Sequence, residues 1–308
     1  MTLPKRAPHY PLPMLGRIST VTITTPDLPA AVTAYQRHLG YRVVADGALG
    51  RDTARSWGRP NMAGSRSVSL EPESGAETHL RFVQGPAYPD YQPFACFGWN
   101  AAELIVRDVD ALAERLRGGP FRAIGPPADL SFTDKIRAMQ VVGPASEVLY
   151  LTEIKEKPPF FDTPAAASPV DRVFIVILGG SSLEVLQDCY QLQFGLAREP
   201  AMLSVVSVMS ARYGLPRDHR HPIAAMKVGG QCYIEADEMP QGAVTRPCEP
   251  GQLPPAISMV SFEVPRLPEI LPSALGPVQR CLGVPYDGRR SVACVGAAGE
   301  LIELVEAG

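Results

Sequence analysis

The sequence predicts an α+β protein built from four repeats of a strand–helix–strand unit, and three observations predict it. The stretch Ile18 to Asp46 reads as one complete copy, weaker copies open near Asn100, Val170 and Ile257, and the 308 residues suit two domains of ordinary size. Hydrophobic residues at 45% and charged residues at 20% give each domain enough apolar surface for a core of its own.

In the first copy, Val21 and Ile23 alternate with Thr20, Thr22 and Thr24, so a strand here has one apolar and one hydroxylated face. Pro26-Asp27 then starts a helix, with Leu28, Ala31, Val32 and Tyr35 at helical spacing and the Asp27 carboxylate placed to cap its first turn. Gly40 can adopt the left-handed conformation that ends a helix, and Tyr41 to Val44 reads as the next strand. Residues 47–64 are longer and more irregular than the unit needs and are expected to form a loop over a binding face, carrying Trp57. Ser67 to Leu70 and Thr78 to Val83 supply two further strands.

The second copy is a strand, an acidic corner and a helix from Ala101 to Pro120, closed by strands at Ala138 to Val142 and Glu147 to Leu151, with mixed charge at Asp134 to Arg137. The third runs from Val170 through a helix ending at Phe194-Gly195-Leu196 to strands at Ala224 to Lys227 and Gln231 to Asp237. The fourth runs from Ile257 to Ala307, with a short helix expected between Leu267 and Leu275 despite Pro265, Pro268 and Pro272. Residues 1–16 read as a proline-rich arm. Residues 157–169, within the charged then proline- and alanine-rich Lys155 to Pro169, read as a linker between a first domain over 17–156 and a second over 170–308.

Strand, Pro-Asp turn, helix, His-Leu-Gly-Tyr and strand resemble the opening of a module of the vicinal oxygen chelate superfamily, which includes glyoxalase I, extradiol dioxygenases and the bleomycin resistance proteins. The closing Gly299-Glu300-Leu301-Ile302-Glu303-Leu304 is similar to that family's usual ending. The resemblance implies four βαβββ modules paired into two cup-shaped mixed sheets. It also implies metal-ligand slots on the first strands, at about Thr20, Ala101, Arg172 and Met259, and on the last strands, at about His79, Tyr150, Glu235 and Glu303.

Those residue types do not make the three imidazole or carboxylate ligands a divalent metal needs in either half, so no cofactor is expected and a metal-dependent dioxygenase or glyoxalase is the disfavoured alternative. Arg172 is expected to stand in for the metal, binding a substrate carboxylate or a developing enolate, with Glu303 or Glu235 as base. A plain Arg172–Glu303 ion pair in a closed domain is the competing expectation. In the other cup His79 and Tyr150 are a workable base and acid, lined by Thr20, Thr22, Arg81 and Glu103, although a strand histidine held by a neighbouring hydroxyl is the commoner case. Trp57, Trp99, Tyr88, Tyr91 and Phe94 could provide an apolar lid, or could be core. Phe174 and Met259 complete the expected substrate contacts. His219 and His221 in Asp-His-Arg-His, and His38, read as solvated.

The expected function is a metal-independent lyase or isomerase acting by side-chain acid–base chemistry on a small hydrophobic or aromatic carbonyl or carboxylate compound. A non-catalytic protein that sequesters such a molecule is the alternative. A net charge of −3 gives no reason to expect nucleic acid, and no apolar run is long enough for a signal peptide or a membrane span. Six scattered cysteines without a Cys-x-x-Cys pair read as thiols of a reducing, cytoplasmic compartment. The expected partner is a small molecule, and a homodimer is compatible with this reading.

Overall fold

The computed structural model describes residues 15–159 and 161–308, so the predicted arm lies almost wholly outside the described residues. All four modules are present. The first comprises β1 (Ile18–Thr25), α1 (Leu28–Ala34), β2 (Arg42–Ala48), the inserted helix α2 (Arg51–Ser56), β3 (Arg66–Glu71) and β4 (His79–Gln84). The second comprises β5 (Gly98–Val106), α3 (Val109–Leu116), β6 (Arg122–Leu130), β7 (Thr133–Val142) and β8 (Val148–Ile154). The third has β9 (Val170–Gly180), α4 (Leu183–Phe194), β10 (Met202–Val205), the short α5 (Ser207–Arg212), β11 (Arg220–Val228) and β12 (Cys232–Glu238). The fourth has β13 (Ala256–Val264), β14 (Gln279–Arg280), β15 (Arg290–Val295) and β16 (Leu301–Glu306).

The expected caps hold the helices. Asp27 accepts from the Ala30 amide, Asp108 from Ala111 and Ser182 from Val185, while Gly40 and Gly195 end their helices at φ of 75° and 70°. The helix expected between Leu267 and Leu275 is absent, because Pro265, Pro268 and Pro272 remove donors and set backbone angles that an interior turn cannot accept. The expected loop at residues 47–64 instead contains α2.

Two eight-stranded mixed sheets form, but their membership differs from the sequence-order pairing. One runs β14-β15-β16-β13-β1-β4-β3-β2 and the other β10-β11-β12-β9-β5-β8-β7-β6. The first module therefore shares a sheet with the fourth and the second with the third, which corrects the domains drawn at 17–156 and 170–308. The joins are antiparallel pairings of first strands, with Val21 opposite Val260 and Ala101 opposite Ile177. Alternation within a module cannot decide this, since each first strand offers the same pattern to whichever other first strand meets it. Residues 157–169, read as an interdomain linker, join β8 and β9 of the same sheet.

The main core lies between the convex faces of the two sheets, with α1, α3 and α4 packed among them. Two matching contacts fasten it. The hydroxyl of Tyr35, in the helical turn that follows α1, donates to Glu147 Oε1 at 2.7 Å, and the other carboxylate oxygen accepts from the Ala145 amide at 2.8 Å. In the fourth module Glu300 accepts from the Ala298 amide at 2.8 Å beside the buried Tyr190 of α4. Burial pushes both Glu147 and Glu300 up to about 7, against the opposing pull of these donors.

A carboxyl whose pKa is raised in the fold contributes stability below its unfolded value of about 4.5 that is lost as pH climbs through its folded value. The stability gap between the native chain and Glu147→Gln is therefore expected to shift against the native chain by on the order of 1–3 kcal/mol between about pH 5 and pH 8.5, measured by urea unfolding at each pH. Using the difference between the two proteins cancels the other titrating groups.

Candidate functional site

The two concave faces have opposite fates. In the β1/β13 sheet the hollow is filled by side chains. Helix α2 turns inward at its C-terminal end and places Trp57 inside, 1% exposed, where its indole N–H donates to Glu303 Oε1 at 2.7 Å. The hydroxyls of Tyr286 (2.8 Å), Ser261 (2.6 Å) and Ser291 (3.3 Å) also donate to this carboxylate, and Arg81 Nη2 lies 3.2 Å from its second oxygen. The Arg81 guanidinium sits 4.6 Å from the Trp57 ring and also holds the Thr22 hydroxyl. Burial alone would lower the pKa of Arg81, but Tyr286 and Glu303 outweigh it and hold it above its ordinary value.

Several expectations are corrected here. Trp57 is a plug and not a lid. Glu303 pairs with Arg81 and not with Arg172, because Arg172 belongs to the other sheet and is turned to the Gly230 carbonyl, 3.0 Å away, and Gln231. His79 cannot act with Tyr150 for the same reason. It stands at the start of β4 opposite Thr20, its Nδ1 unpartnered, and burial lowers its pKa. Thr20 and Met259 are wholly buried in this sheet. Trp99 is buried and donates to the Leu301 carbonyl; Tyr91 and Phe94 are also buried. His221, expected to be solvated, is buried against Ser210, its Nε2 2.9 Å from that hydroxyl.

The β5/β9 sheet keeps its hollow open, with a cavity of about 1130 Å3 whose walls are mostly aliphatic and aromatic. Glu103, Tyr150, Phe174 and Glu235, all expected site residues, line it. Strand register explains the meeting. Glu103 on β5 lies beside Tyr150 on β8, and Glu235 on β12 faces the same hollow across the single intervening strand β9. Burial, reinforced by Glu235, raises Glu103 to about 8, with the Thr152 hydroxyl opposing; burial raises Glu235 to about 7.

Asp237, missed from the sequence, stands two residues beyond Glu235 on the same strand face. It is wholly buried, neither carboxyl oxygen has a partner, and burial then Glu235 raise it well above the usual carboxylate range. The Tyr150 hydroxyl is equally unpartnered and is held protonated by burial and by Asp237, Glu235 and Glu103. Period-two alternation from Glu235 was signal enough to find Asp237.

No arginine or lysine lies among these acids, and the cavity's cations, Lys157 and Lys227, stand at its mouth with side chains more than half exposed. At neutral pH the floor is accordingly a set of mostly protonated hydrogen-bond donors holding one readily ionised carboxyl. The divalent metal of the resembling family does not fit either hollow. Glu303 is occupied by five donors, one of them a guanidinium. Glu235, at another of the expected ligand slots, lies in the other sheet. Among the described residues no three histidine, cysteine, aspartate or glutamate side chains converge for a metal.

Among solved structures the chain is similar to glyoxalase I from Zea mays, at 14% identity over 94% of this chain and 92% of that one, with a TM-score of 0.61. It is also similar to a candidate dioxygenase from Bacillus subtilis subsp. subtilis str. 168, at 11% identity over 95% of this chain and 86% of that one, with a TM-score of 0.60. No family model and no curated protein matches the sequence. The fold is thus that of the glyoxalase and dioxygenase proteins in their two-sheet form. No helix among the described residues is long and apolar enough to cross a membrane.

The filled hollow yields a stability prediction. Arg81→Met strands the buried Glu303 carboxylate and is expected to cost about 3–5 kcal/mol, read from chemical denaturation, while leaving ligand binding in the other sheet's cavity unchanged in the folded fraction.

Proposed function

We propose that this chain is an enzyme that moves protons on a hydrophobic carbonyl compound without a metal, an isomerase or lyase reaction carried out in the open cavity. The observation that carries the reading is the pair of carboxyls at its floor, Glu103 and Glu235, pushed up to about 8 and about 7 within apolar walls. A general acid and a general base work best with pKa values near the operating pH, and here burial supplies both.

In this mechanism the substrate carbonyl oxygen points at Glu103 and Tyr150, which are protonated and donate to it. Ionised Glu235 removes the proton from the adjacent carbon, and its electron pair moves onto the oxygen, where the two donors stabilise the enolate in a medium that screens little. Glu235 then returns the proton to a different carbon or face for isomerisation. For elimination, Glu103 protonates the departing group. Phe174 and Ile175 form part of the wall against which an aromatic or alicyclic body packs. Arg172, His79 and Glu303, expected as catalytic groups, have no part in this cavity.

The test is exchange of solvent deuterium into a panel of hydrophobic ketones and aldehydes, followed by NMR. Deuterium is expected at the carbon next to the carbonyl. Glu235→Gln is expected to slow exchange by roughly 10²- to 10⁴-fold and Tyr150→Phe by less, with both variants folded by circular dichroism. A compound that binds yet exchanges no faster than in buffer, or Glu235→Gln exchanging at the native rate, would leave a sequestering protein instead.

The rate should follow a narrow bell. Glu235 must lose its proton and Glu103 must keep its own, so activity is expected to rise through about pH 7 and fall through about pH 8, as apparent values of the coupled pair. A flat profile from pH 6 to pH 9 would contradict the assignment.

A further inference from the structure

The cavity is polar at both ends and apolar between them. Its inner end carries the protonated acids. Its mouth carries the only two cations of the lining, Lys157 and Lys227, and both are turned to a single acid, Asp162. Lys157 Nζ lies 2.9 Å from Asp162 Oδ1 and Lys227 Nζ 3.6 Å from Oδ2, with the Gln231 amide donating to Oδ1 at 3.1 Å.

Asp162 belongs to the segment from β8 to β9 that crosses the mouth. That segment is fastened to β12 by Phe161 stacked on Tyr233, 4.3 Å between centroids at 16°, and by the Asp162 amide donating to the Tyr233 hydroxyl at 3.0 Å. Two lysines and an amide thus form a finished anion site, and the chain's own carboxylate fills it. These groups pull Asp162 down to about 2. Glu199, the other acid at this rim, makes no ion pair with either lysine.

We infer that the substrate is an elongated hydrophobic carboxylic acid whose carboxylate takes the place of Asp162 between Lys157 and Lys227, while its far end reaches Glu103 and Glu235. Register sets the length. Lys227 is two residues along β11 from Ala225, which pairs with Glu235, so the mouth and floor are on the order of 10 Å apart once the lysine extends. A molecule of fused rings or a chain of comparable length spans that distance. A carboxylate entering first would meet acids with no counter-ion at the inner end, so the charged group stays outside and the neutral end goes in. The exposed Asp162 side chain can swing into water when displaced.

The inference takes from the proposed reaction only the orientation of the ligand, and its test needs no turnover. The probe is dansylglycine against its methyl ester, titrated by fluorescence at low salt. The acid is expected to bind about tenfold more tightly than the ester. Lys157→Met/Lys227→Met should abolish that preference while leaving ester affinity unchanged. Asp162→Asn should tighten the acid several-fold by removing its competitor.

Glu103→Gln/Glu235→Gln, which lacks the acid–base pair, should keep the preference, so loss of exchange chemistry and loss of the mouth site are read separately. Equal binding of acid and ester by the native protein, a preference surviving in the double lysine variant, or no binding of either probe would each overturn the inference.

Discussion

Everything about the site depends on which first strands meet. β1 pairs with β13 and β5 with β9, both antiparallel, and these two joins decide the membership of each hollow. They put Arg81 with Glu303 and Glu103 with Glu235, and they keep Arg172 and His79 from the partners assigned to them on sequence order. A different set of joins would use the same strands with the same alternation and would build different chemistry.

The joins also determine which connection crosses each mouth. Because β8 and β9 share a sheet, the segment between them returns across the hollow of that same sheet and brings Lys157, Phe161 and Asp162 to its rim. The β1/β13 sheet is closed differently. Its hollow is entered instead by α2, whose Trp57 donates to Glu303 and covers Arg81. A buried arginine–glutamate pair is tolerable only when every remaining donor and acceptor is satisfied, and Tyr286, Ser261, Ser291 and Thr22 do that. One hollow has become core, while the other has kept space for a ligand.

The fold was legible because its signals are local. Alternating Thr and Val in β1, Asp27 at the helix start and Gly40 at its end each act within a few residues, and the same grammar recurs at Asp108 and at Gly195. The site was legible in part for the same reason: Glu103, Tyr150, Phe174 and Glu235 face inward by strand period. What could not be read was long-range. Nothing near Arg81 announces that its partner lies 222 positions away, nor does Trp57 carry any mark that it will fill a hollow and not cover one. The proline-rich stretch after β8 has a linker's composition, and composition says nothing of the mouth it spans. The fourth module's missing helix is the reverse case, where three prolines act locally and prevail over the module pattern.

The open hollow is costly in a way the filled one is not. Glu103 and Glu235 are half-buried against apolar walls and Asp237 is wholly buried, with no cation to compensate them, so the fold accepts them by raising their pKa values. Replacing them with leucine or glutamine would remove that penalty, and a pocket meant only to hold an apolar body has no need of them. The ionisation of Glu103 and Glu235 nevertheless falls near neutrality, because the apolar walls raise both carboxyls and Glu235 raises Glu103 further. A fold that already pairs Arg81 with Glu303 in one hollow, yet leaves these acids unpaired in the other, has separated the two jobs of a buried carboxylate. One carboxylate holds structure by being fully bonded, and Glu103 and Glu235 are left facing open space.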